Sequence, residues 1–241
     1  MQYRRLGKSN LRVSALCLGT MMFGDQTDAA ESQRIVDHAR HHGMNFIDTA
    51  DVYSLGKSEE ITGNAIRAER DHWVLATKVG NKMMPDGPFP NHERYSRKWL
   101  MQECDASLKR LGTDYIDIYY LHSPDVNTPI DETLEAMDTL VRSGKVRYVG
   151  ISNHAAWQIG DFLHRADKKN LAAPIITQNV YNLLTRGVED ELVPFLAAHR
   201  MGMAVYNPIA GGLLTGKHQP GAPTAGTRFA LNRNYENRYW D

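Results

Sequence analysis

The sequence predicts an α/β protein in which parallel strands and helices alternate around a barrel. Strand-like segments recur about every 30 residues, and a helical segment follows each of them, as in right-handed βαβ units. The strands are continuous apolar runs, which is typical of strands buried on both faces of a parallel sheet. Polar, titratable residues directly follow several of these runs, as they do at the carboxyl-terminal rim of a (β/α) barrel.

Apolar runs and helix-capping residues locate the individual elements. A turn at 6–11 joins two short strands, which predicts an N-terminal β-hairpin. The barrel strands are predicted at 15–19, 45–49, 73–78, 115–121, 146–151, 175–178 and 203–206. Helices are predicted from Asp28 to the C-cap Gly43, from the N-cap Ser58, from the N-cap Ser96 to Gly112, and at 129–143, 155–165 and 188–199. The segment 228–241 has no apolar periodicity, and no element is predicted there.

A doubly wound open sheet is the structural alternative to a barrel. Open sheets that bind a dinucleotide usually have Gly-x-Gly-x-x-Gly after the first strand, but the segment from Gly19 to Gly24 lacks the middle glycine. The barrel is therefore favoured. The chain has 241 residues, 42% of them hydrophobic, and no interdomain linker, so we expect a single domain over residues 1–241.

Charge and composition exclude several classes of function. The chain has 28 basic and 28 acidic residues and no dense basic cluster, so neither nucleic acid nor an anionic membrane is an expected partner. The N-terminus lacks the apolar run of a signal peptide, and no segment approaches membrane-spanning length. Cys17 and Cys104 have no motif spacing and are typical of reduced packing residues in a cytoplasmic protein.

Two groups of residues have a structural and a functional interpretation. His38, His41 and His42 have a helical spacing that would suit a metal, but no carboxylate motif accompanies them, so a solvated helix face is favoured and no metal site is predicted. Apolar side chains in loops would either line a substrate pocket or be exposed; these are Phe23, Met83, Met84, Phe89 and Trp240.

Four residues after three successive strands are candidates for catalysis. Asp48, Lys78 and His122 each follow an apolar strand, and Tyr53 comes soon after Asp48. Because the carboxyl ends of parallel barrel strands meet at one rim, we expect the four side chains to share one mouth. Titratable groups are costly to bury without a purpose, so this pattern indicates an active site.

These residue types suit the reduction of a carbonyl group. A tyrosine hydroxyl donates a proton near neutral pH only if its pKa falls well below about 10. A lysine ammonium in contact lowers that pKa, and a carboxylate keeps the lysine charged. A histidine hydrogen bond to the substrate oxygen would orient and polarise the carbonyl.

The sequence resembles the aldo-keto reductase superfamily along its whole length, in the bacterial branch related to potassium-channel β subunits. The resemblance rests on six segments in family order, at 45–53, 76–78, 107–117, 121–122, 144–153 and 210–217. It implies a (β/α)8 TIM barrel and a small-molecule carbonyl substrate, with Tyr53 as the acid, Lys78 and Asp48 as its tuning groups, and His122 as the substrate-orienting group.

The resemblance also implies an NADP(H) cofactor lying across the barrel mouth. Ser152, Asn153 and Gln178 match residues that bind the nicotinamide amide, and Tyr206 matches the aromatic residue that stacks on the nicotinamide ring. Positions that line the ribose are matched by Thr20, Met21 and Asp48. The loop and cations that hold the pyrophosphate and adenosine are matched by Asn207, Pro208, Ile209, Ala210, Gly211, Lys217 and Arg228.

Several other interpretations of these residues exist. Asp48 and Lys78 would also suit a structural buried ion pair, and Lys78 a Schiff-base lysine of an aldolase-like barrel. Ser152, Asn153 and Gln178 would individually suit strand-end caps. An NADP(H)-binding redox sensor or regulatory subunit is the alternative function, which His122 makes the less favoured one because a sensor has no need of it.

The family resemblance implies one departure from the complete barrel. Family members have an eighth strand and helix, where they bind the 2′-phosphate of NADP, but this chain stops about 35 residues after its seventh strand. We therefore expect a barrel truncated after the seventh strand, with unpaired edges on the first and seventh strands. We therefore expect the chain to be a fragment of a longer reductase, or to bind NADP(H) much more weakly than a complete member would. If it exists as such, we expect a partner chain to cover the open edge; a homo-oligomer is a further expected assembly.

Overall fold

Seven parallel strands form one curled sheet in chain order. The computed structural model describes residues 1–81, 94–218, 223, 225–231 and 233–239. The sheet strands are β3 Leu18–Gly19, β4 Phe46–Asp48, β5 Val74–Val79, β6 Ile116–Leu121, β7 Val146–Ser152, β8 Pro174–Val180 and β9 Gly202–Tyr206. Each strand pairs with the next one along the chain, and within the described residues β3 and β9 do not pair with each other. The α/β fold and the barrel truncated after seven strands are therefore confirmed.

The predicted N-terminal hairpin closes the amino-terminal end of the sheet. Its strands, β1 Tyr3–Arg5 and β2 Arg12–Ser14, are antiparallel. Leu6 and Val13 are buried and pack with apolar residues inside the curl of the sheet. Since the hairpin covers this end, the opposite end, where the strands terminate, is left for a site.

Helices cover the outer face of the sheet. They are α1 Ala29–His41, α2 Lys57–Ile66, α3 Arg97–Leu111, α4 Ile130–Arg142, α5 Ala156–Lys169 and α6 Leu192–His199. Two short helices, α7 Arg228–Leu231 and α8 Arg233–Tyr239, instead contact the loop Ala210–Thr215 after β9. Asp28 caps α1 by accepting from the Glu31 backbone N–H at 2.8 Å, and Ser96 caps α3 by accepting from Trp99 N–H at 3.3 Å. Gly112 ends α3 with a φ of 64°, which a glycine adopts without strain.

The main core lies between the sheet and the helices, and a smaller one lies inside the curl. Tyr119 and Leu75 point outward into the layer of α3 and α4, whereas their neighbours Tyr120 and Ala76 point into the curl. This alternation follows from the two-residue period of a strand. None of the described helices is both long enough and apolar enough to cross a membrane.

Some predicted details of the elements are wrong. Ser58 does not cap α2, because that helix begins at Lys57 after a left-handed Gly56. The first barrel strand pairs only over β3, and the segment 188–199 contains a 3-10 turn, Gly187–Glu189, before α6. The segment after 228, for which no element was predicted, contains the short helices α7 and α8.

The predictions for the cysteines and for the loop side chains are confirmed in part. Cys104 is buried as predicted, but Cys17 is exposed. Phe23 is buried in the main core. The other four candidates for a substrate pocket, Met83, Met84, Phe89 and Trp240, lie outside the described residues.

Candidate active site

Asp48, Lys78 and Tyr53 meet at the carboxyl ends of β4 and β5. The Lys78 ammonium makes a short ion pair with Asp48 Oδ1, donates to the Thr49 carbonyl at 2.8 Å and lies 3.3 Å from Tyr53 Oη. Lys78 is fully buried and Asp48 almost so. Burial alone would disfavour the ammonium, but the Asp48 carboxylate and the Tyr53 hydroxyl more than offset it, so the pKa of Lys78 is raised. Lys78 is therefore a permanent cation at neutral pH.

The Asp48 carboxylate connects two sides of the barrel mouth. Its Oδ1 pairs with Lys78, and its Oδ2 accepts a hydrogen bond from Gln178 Nε2 at 3.1 Å. These residues belong to β4, β5 and β8, which are not all neighbours in the sheet. The bond therefore couples the candidate catalytic residues to a residue expected to bind cofactor.

A tight turn after β4 carries Tyr53. It runs as a 3-10 segment, Tyr53–Gly56, in which Ser54 and Leu55 have left-handed φ values of 48° and 53°. Residues other than glycine rarely adopt this backbone conformation, because their Cβ atom crowds the backbone. The surrounding structure must therefore stabilise the turn that positions the tyrosine.

His122 completes the group of four. Its backbone N–H donates to the Val79 carbonyl at 2.9 Å, which fixes it at the end of β6. The imidazole lies edge-on to the Tyr53 ring, with centroids 5.8 Å apart and planes at 81°. Burial, and then the nearby Lys78 charge, lower the pKa of His122 to about 3. The ring is therefore neutral at physiological pH, so one of its nitrogens can donate a hydrogen bond and the other can accept one.

Asp48, Tyr53 and His122 line a cleft of about 620 Å³ at this end of the sheet, and the fully buried Lys78 lies beneath it. The cleft is lined by Gly19, Thr20, Met21, Met22, Asp48, Val52, Tyr53, Asn81, His122, Ser123, Ser152, Asn153, Gln178, Tyr206, Asn207, Arg228 and Arg238. Most of the predicted site residues are therefore brought together in one place.

One wall of the cleft is a hydrogen-bonded chain of polar residues. Ser152 Oγ donates to the Gln178 carbonyl at 2.8 Å, and Asn153 Nδ2 donates to the His122 carbonyl at 3.0 Å. Tyr206 Oη donates to Asn153 Oδ1 at 2.8 Å. Carbonyl, amide and hydroxyl groups at fixed positions are the groups that a planar amide such as nicotinamide requires.

Five residues expected to bind the pyrophosphate and adenosine lie in the adjoining loop and do not line the cleft itself. They are Pro208, Ile209, Ala210, Gly211 and Lys217. Gly211 and Gly212 have φ values of 67° and 114°, and a Cβ atom on Gly212 would lie 3.7 Å from Lys217 Cε. Bare backbone beside a lysine, with Arg228 and Arg238 in the adjoining cleft lining, suits an anionic group. The residues present therefore fit a dinucleotide.

Sequence reasoning missed six residues of the cleft lining. They are Gly19, Met22, Val52, Asn81, Ser123 and Arg238. Asn81 and Ser123 could have been found, because each lies two residues beyond a strand end; their side chains bond to each other, Ser123 Oγ to Asn81 Oδ1, at 3.1 Å. Arg238 carried no signal, since α8 has no apolar periodicity.

Histidines at the C-terminal end of α1 have side chains in mutual contact. The rings of His38 and His42 lie 4.2 Å apart, and His42 Nδ1 bonds to the His38 carbonyl at 2.8 Å. Among the described residues, no group of three or more His, Cys, Asp or Glu side chains is arranged to hold a metal ion.

Comparison with known proteins agrees with this geometry. Residues 15–238 match the model of the aldo/keto reductase family. The chain is 43% identical to a probable voltage-gated potassium channel subunit beta of Arabidopsis thaliana, over 98% of the chain and 72% of that protein. It is 41% identical to an uncharacterised oxidoreductase, YrpG, of Bacillus subtilis, over 95% of the chain and 72% of the relative.

A fungal relative is named for a reaction. The chain is 35% identical to versiconal hemiacetal acetate reductase of Aspergillus parasiticus, over 89% of the chain and 69% of that enzyme. The family match and these relatives confirm the resemblance inferred from the motifs. The chain therefore belongs to the aldo/keto reductase family of oxidoreductases.

Proposed function

We propose that the chain reduces an aldehyde or ketone to an alcohol with NADP(H) as hydride donor. The observation that carries this proposal is the buried Lys78 ammonium, paired with Asp48 and 3.3 Å from Tyr53 Oη at the edge of the cleft. A cation in this position stabilises a phenolate and so makes the tyrosine a stronger acid.

In this mechanism the protein positions the carbonyl and supplies the proton. Bound NADPH supplies a hydride to the carbonyl carbon. Tyr53 donates its hydroxyl proton to the carbonyl oxygen, and the resulting phenolate is stabilised by Lys78. Neutral His122 donates a hydrogen bond to the same oxygen, which aligns the carbonyl and opposes the charge that develops on it.

Other cleft residues would hold the cofactor. Ser152, Asn153 and Gln178 would bind the nicotinamide amide, with Tyr206 stacked on the ring. Thr20, Met21 and Asp48 would border the ribose, and the loop 207–211 would approach the phosphates with Lys217 and Arg228. The support is the cleft lining, the bare glycine backbone and the family match.

A histidine at position 122 favours carbonyl reduction over carbon–carbon double-bond reduction. Related enzymes that reduce carbon–carbon double bonds have a glutamate at this position. His122 has a pKa lowered to about 3, so it offers a neutral donor suited to a carbonyl oxygen.

Lys78 is a poor candidate for a Schiff base. Its raised pKa and its pairing with Asp48 keep the nitrogen protonated, and an ammonium is not a nucleophile. Borohydride treatment with carbonyl compounds should therefore trap no adduct on Lys78. A mass increment mapped to that residue would favour an aldolase-like reaction instead.

Single-turnover mixing tests the proposed function directly. The chain is loaded with NADPH and mixed with a panel of aldehydes that includes 4-nitrobenzaldehyde, while the loss of NADPH absorbance is followed. We expect hydride transfer in the native chain, none in Lys78→Met, and a native rate in the control Lys109→Met, whose side chain is exposed. Failure of every aldehyde would favour the alternative of a redox sensor or regulatory subunit.

A further inference from the structure

A buried ionic cluster lies behind the Tyr53 turn, outside the cleft. Arg110 of α3 donates from Nε to Glu59 at 2.6 Å and from Nη2 to Glu103 in a short contact. The Glu59 side chain is fully buried, that of Glu103 is 4% exposed and that of Arg110 is 19% exposed. Burying an ion pair is costly, so such a pair often has a role other than stability.

The Glu59 carboxylate connects the strand of Lys78 to Arg110. Its Oε1 accepts from Thr77 Oγ1 at 2.5 Å, and its Oε2 accepts from Arg110 Nε. Thr77 directly precedes Lys78 in β5, with its side chain on the opposite face of the strand. Glu59 therefore holds the outer side of the strand whose inner side carries the ammonium.

Arg110 also packs against the Tyr53 turn. A Cβ atom on Gly56 would lie 2.7 Å from Arg110 Cδ and 3.0 Å from its Nε, so the arginine lies directly on the glycine that ends the turn. Because Ser54 and Leu55 in the same turn have left-handed φ values, the turn needs external support. Arg110 is placed to give that support.

Asp51, two residues before Tyr53, gives a further connection between this segment and β5. Its backbone N–H donates to the Lys78 carbonyl at 3.1 Å, and its side chain is buried. Burial, Glu103 and Glu59 raise the pKa of Asp51 well above its ordinary value. Arg110 thus pairs with two carboxylates and lies near a third carboxyl group, and a neutral residue in its place would leave Glu59 and Glu103 without their cation.

We propose that Arg110, acting with Glu59 and Glu103, is a positioning residue that sets the distance between Tyr53 Oη and Lys78 Nζ. At 3.3 Å this contact is at the long end of hydrogen bonding, so a further displacement would lose it. The inference rests on the proposed function for its catalytic meaning, but the distance it concerns is a property of the protein alone.

The test is the substitution Arg110→Lys, which keeps the positive charge but cannot bond to Glu59 and Glu103 with the fixed geometry of a guanidinium group. Arg70→Lys is the matched control, because Arg70 pairs with Asp117 at 2.8 Å with both side chains 14% exposed and is remote from the cleft. The pKa of Tyr53 is measured by tyrosinate absorbance, as the difference between each protein and its Tyr53→Phe counterpart. This measurement requires neither cofactor nor turnover.

We expect Arg110→Lys to raise the pKa of Tyr53 by about half a pH unit or more and to slow hydride transfer about tenfold, because Lys78 no longer contacts the hydroxyl. Arg70→Lys should change neither, although both variants should melt at lower temperature. An unchanged Tyr53 pKa in Arg110→Lys would overturn the inference. If that variant does not fold, Glu103→Gln should move the pKa in the same direction by less, and no movement there would also overturn it.

The two proposals can fail separately. A shifted Tyr53 pKa in a chain that transfers no hydride would support the positioning role and contradict the proposed function. Normal hydride transfer in Arg110→Lys with an unshifted Tyr53 pKa would support the proposed function and contradict the positioning role.

Discussion

His154 is a buried histidine whose ionisation couples stability to pH. Only 3% of the residue is exposed, its Nδ1 bonds to the Ser152 carbonyl at 2.8 Å, and its ring lies edge-on to Phe162. Burial lowers its pKa to about 4, against the weaker opposing effect of the Ser152 hydrogen bond. The folded chain therefore keeps this ring neutral where an unfolded chain would protonate it.

The consequence is a loss of stability on mild acidification. Well above pH 6.5 both states leave the ring neutral and its full contribution to stability is present; as pH falls through about 6.5 toward 4, only the unfolded chain takes up the proton. Between pH 7.5 and 5 this histidine should cost about 2 kcal/mol of unfolding free energy. Urea unfolding at the two pH values should show a loss smaller by about that amount in His154→Gln.

The control for this prediction is His41→Gln, because His41 is exposed on α1. It should lose as much stability on acidification as the native chain. A native pH dependence in His154→Gln would show that the buried ring does not couple folding to pH.

At the scale of residues, the candidate catalytic group was predictable and its supports were not. Asp48, Lys78 and His122 could be found because their residue types directly follow apolar strands. The Glu59–Arg110 pair could not, because its members are 51 positions apart and lie on helices with no motif between them. Only three-dimensional packing brings them together.

At the scale of elements, a glycine sets how closely two helices approach. A Cβ atom on Gly63 of α2 would lie 2.1 Å from the Leu111 carbonyl oxygen at the end of α3. Because the obstacle is backbone, Gly63→Ala must push the helices apart, and it should destabilise the chain by about 2–3 kcal/mol. Thermal or urea unfolding measures the change.

Gly160 of α5 provides the matched helical control. The nearest atoms to a Cβ there are ring carbons of Phe195 at 3.7 Å, an ordinary contact. Gly160→Ala should therefore stabilise the chain by up to about 1 kcal/mol through helix propensity. Equal effects of the two substitutions would mean that the α2–α3 approach is not limited by Gly63.

Capping residues located some element boundaries correctly and one wrongly. Asp28 and Ser96 precede helices whose first turns need an acceptor, and both side chains provide it. Ser58 has the same residue type but lies inside α2, where its hydroxyl bonds to the Thr20 carbonyl at 2.7 Å. A residue's capping propensity does not distinguish a helix end from a buried hydrogen-bonding position.

At the scale of the whole molecule, the sheet has two edges. Within the described residues β3 and β9 each pair with one neighbour, whereas β6 is paired on both sides. Val205 of β9 is 44% exposed, and the β6 residues Ile118 and Tyr120 are fully buried. The order of strands was predictable from chain order and right-handed crossovers, and so was the unpaired edge.

The edges should be visible in hydrogen exchange. Because β9 is paired on one side only, some of its backbone N–H groups face away from β8 and the rest are freed by a small local opening. These amides should exchange at least ~100-fold faster than the amides of β6, which is paired on both sides. Mass spectrometry of peptides covering 116–121 and 202–206, corrected for intrinsic rates, measures the ratio. Equal protection would show that the β9 edge is covered in solution.

The loops and tail at the cleft mouth were the least predictable part of the molecule. Arg238 joins the cleft although its segment has no hydrophobic pattern, because α8 is held by a tertiary contact: Asn182 Nδ2 lies 3.2 Å from Tyr239 Oη. Hydrophobic periodicity in a sequence reveals a helix by its buried apolar face, and a short polar helix has no such face.

The substitution Tyr53→Phe tests the central claim most directly. It removes one hydroxyl and leaves the ring against His122, so cofactor binding should be unaffected. Single-turnover hydride transfer from bound NADPH should slow by about 10³-fold, the usual contribution of a general acid, while the NADPH dissociation constant stays within about twofold. Tyr115→Phe, which removes an exposed hydroxyl bonded to Asp71, should transfer hydride at the native rate. Transfer at the native rate in Tyr53→Phe would contradict the account.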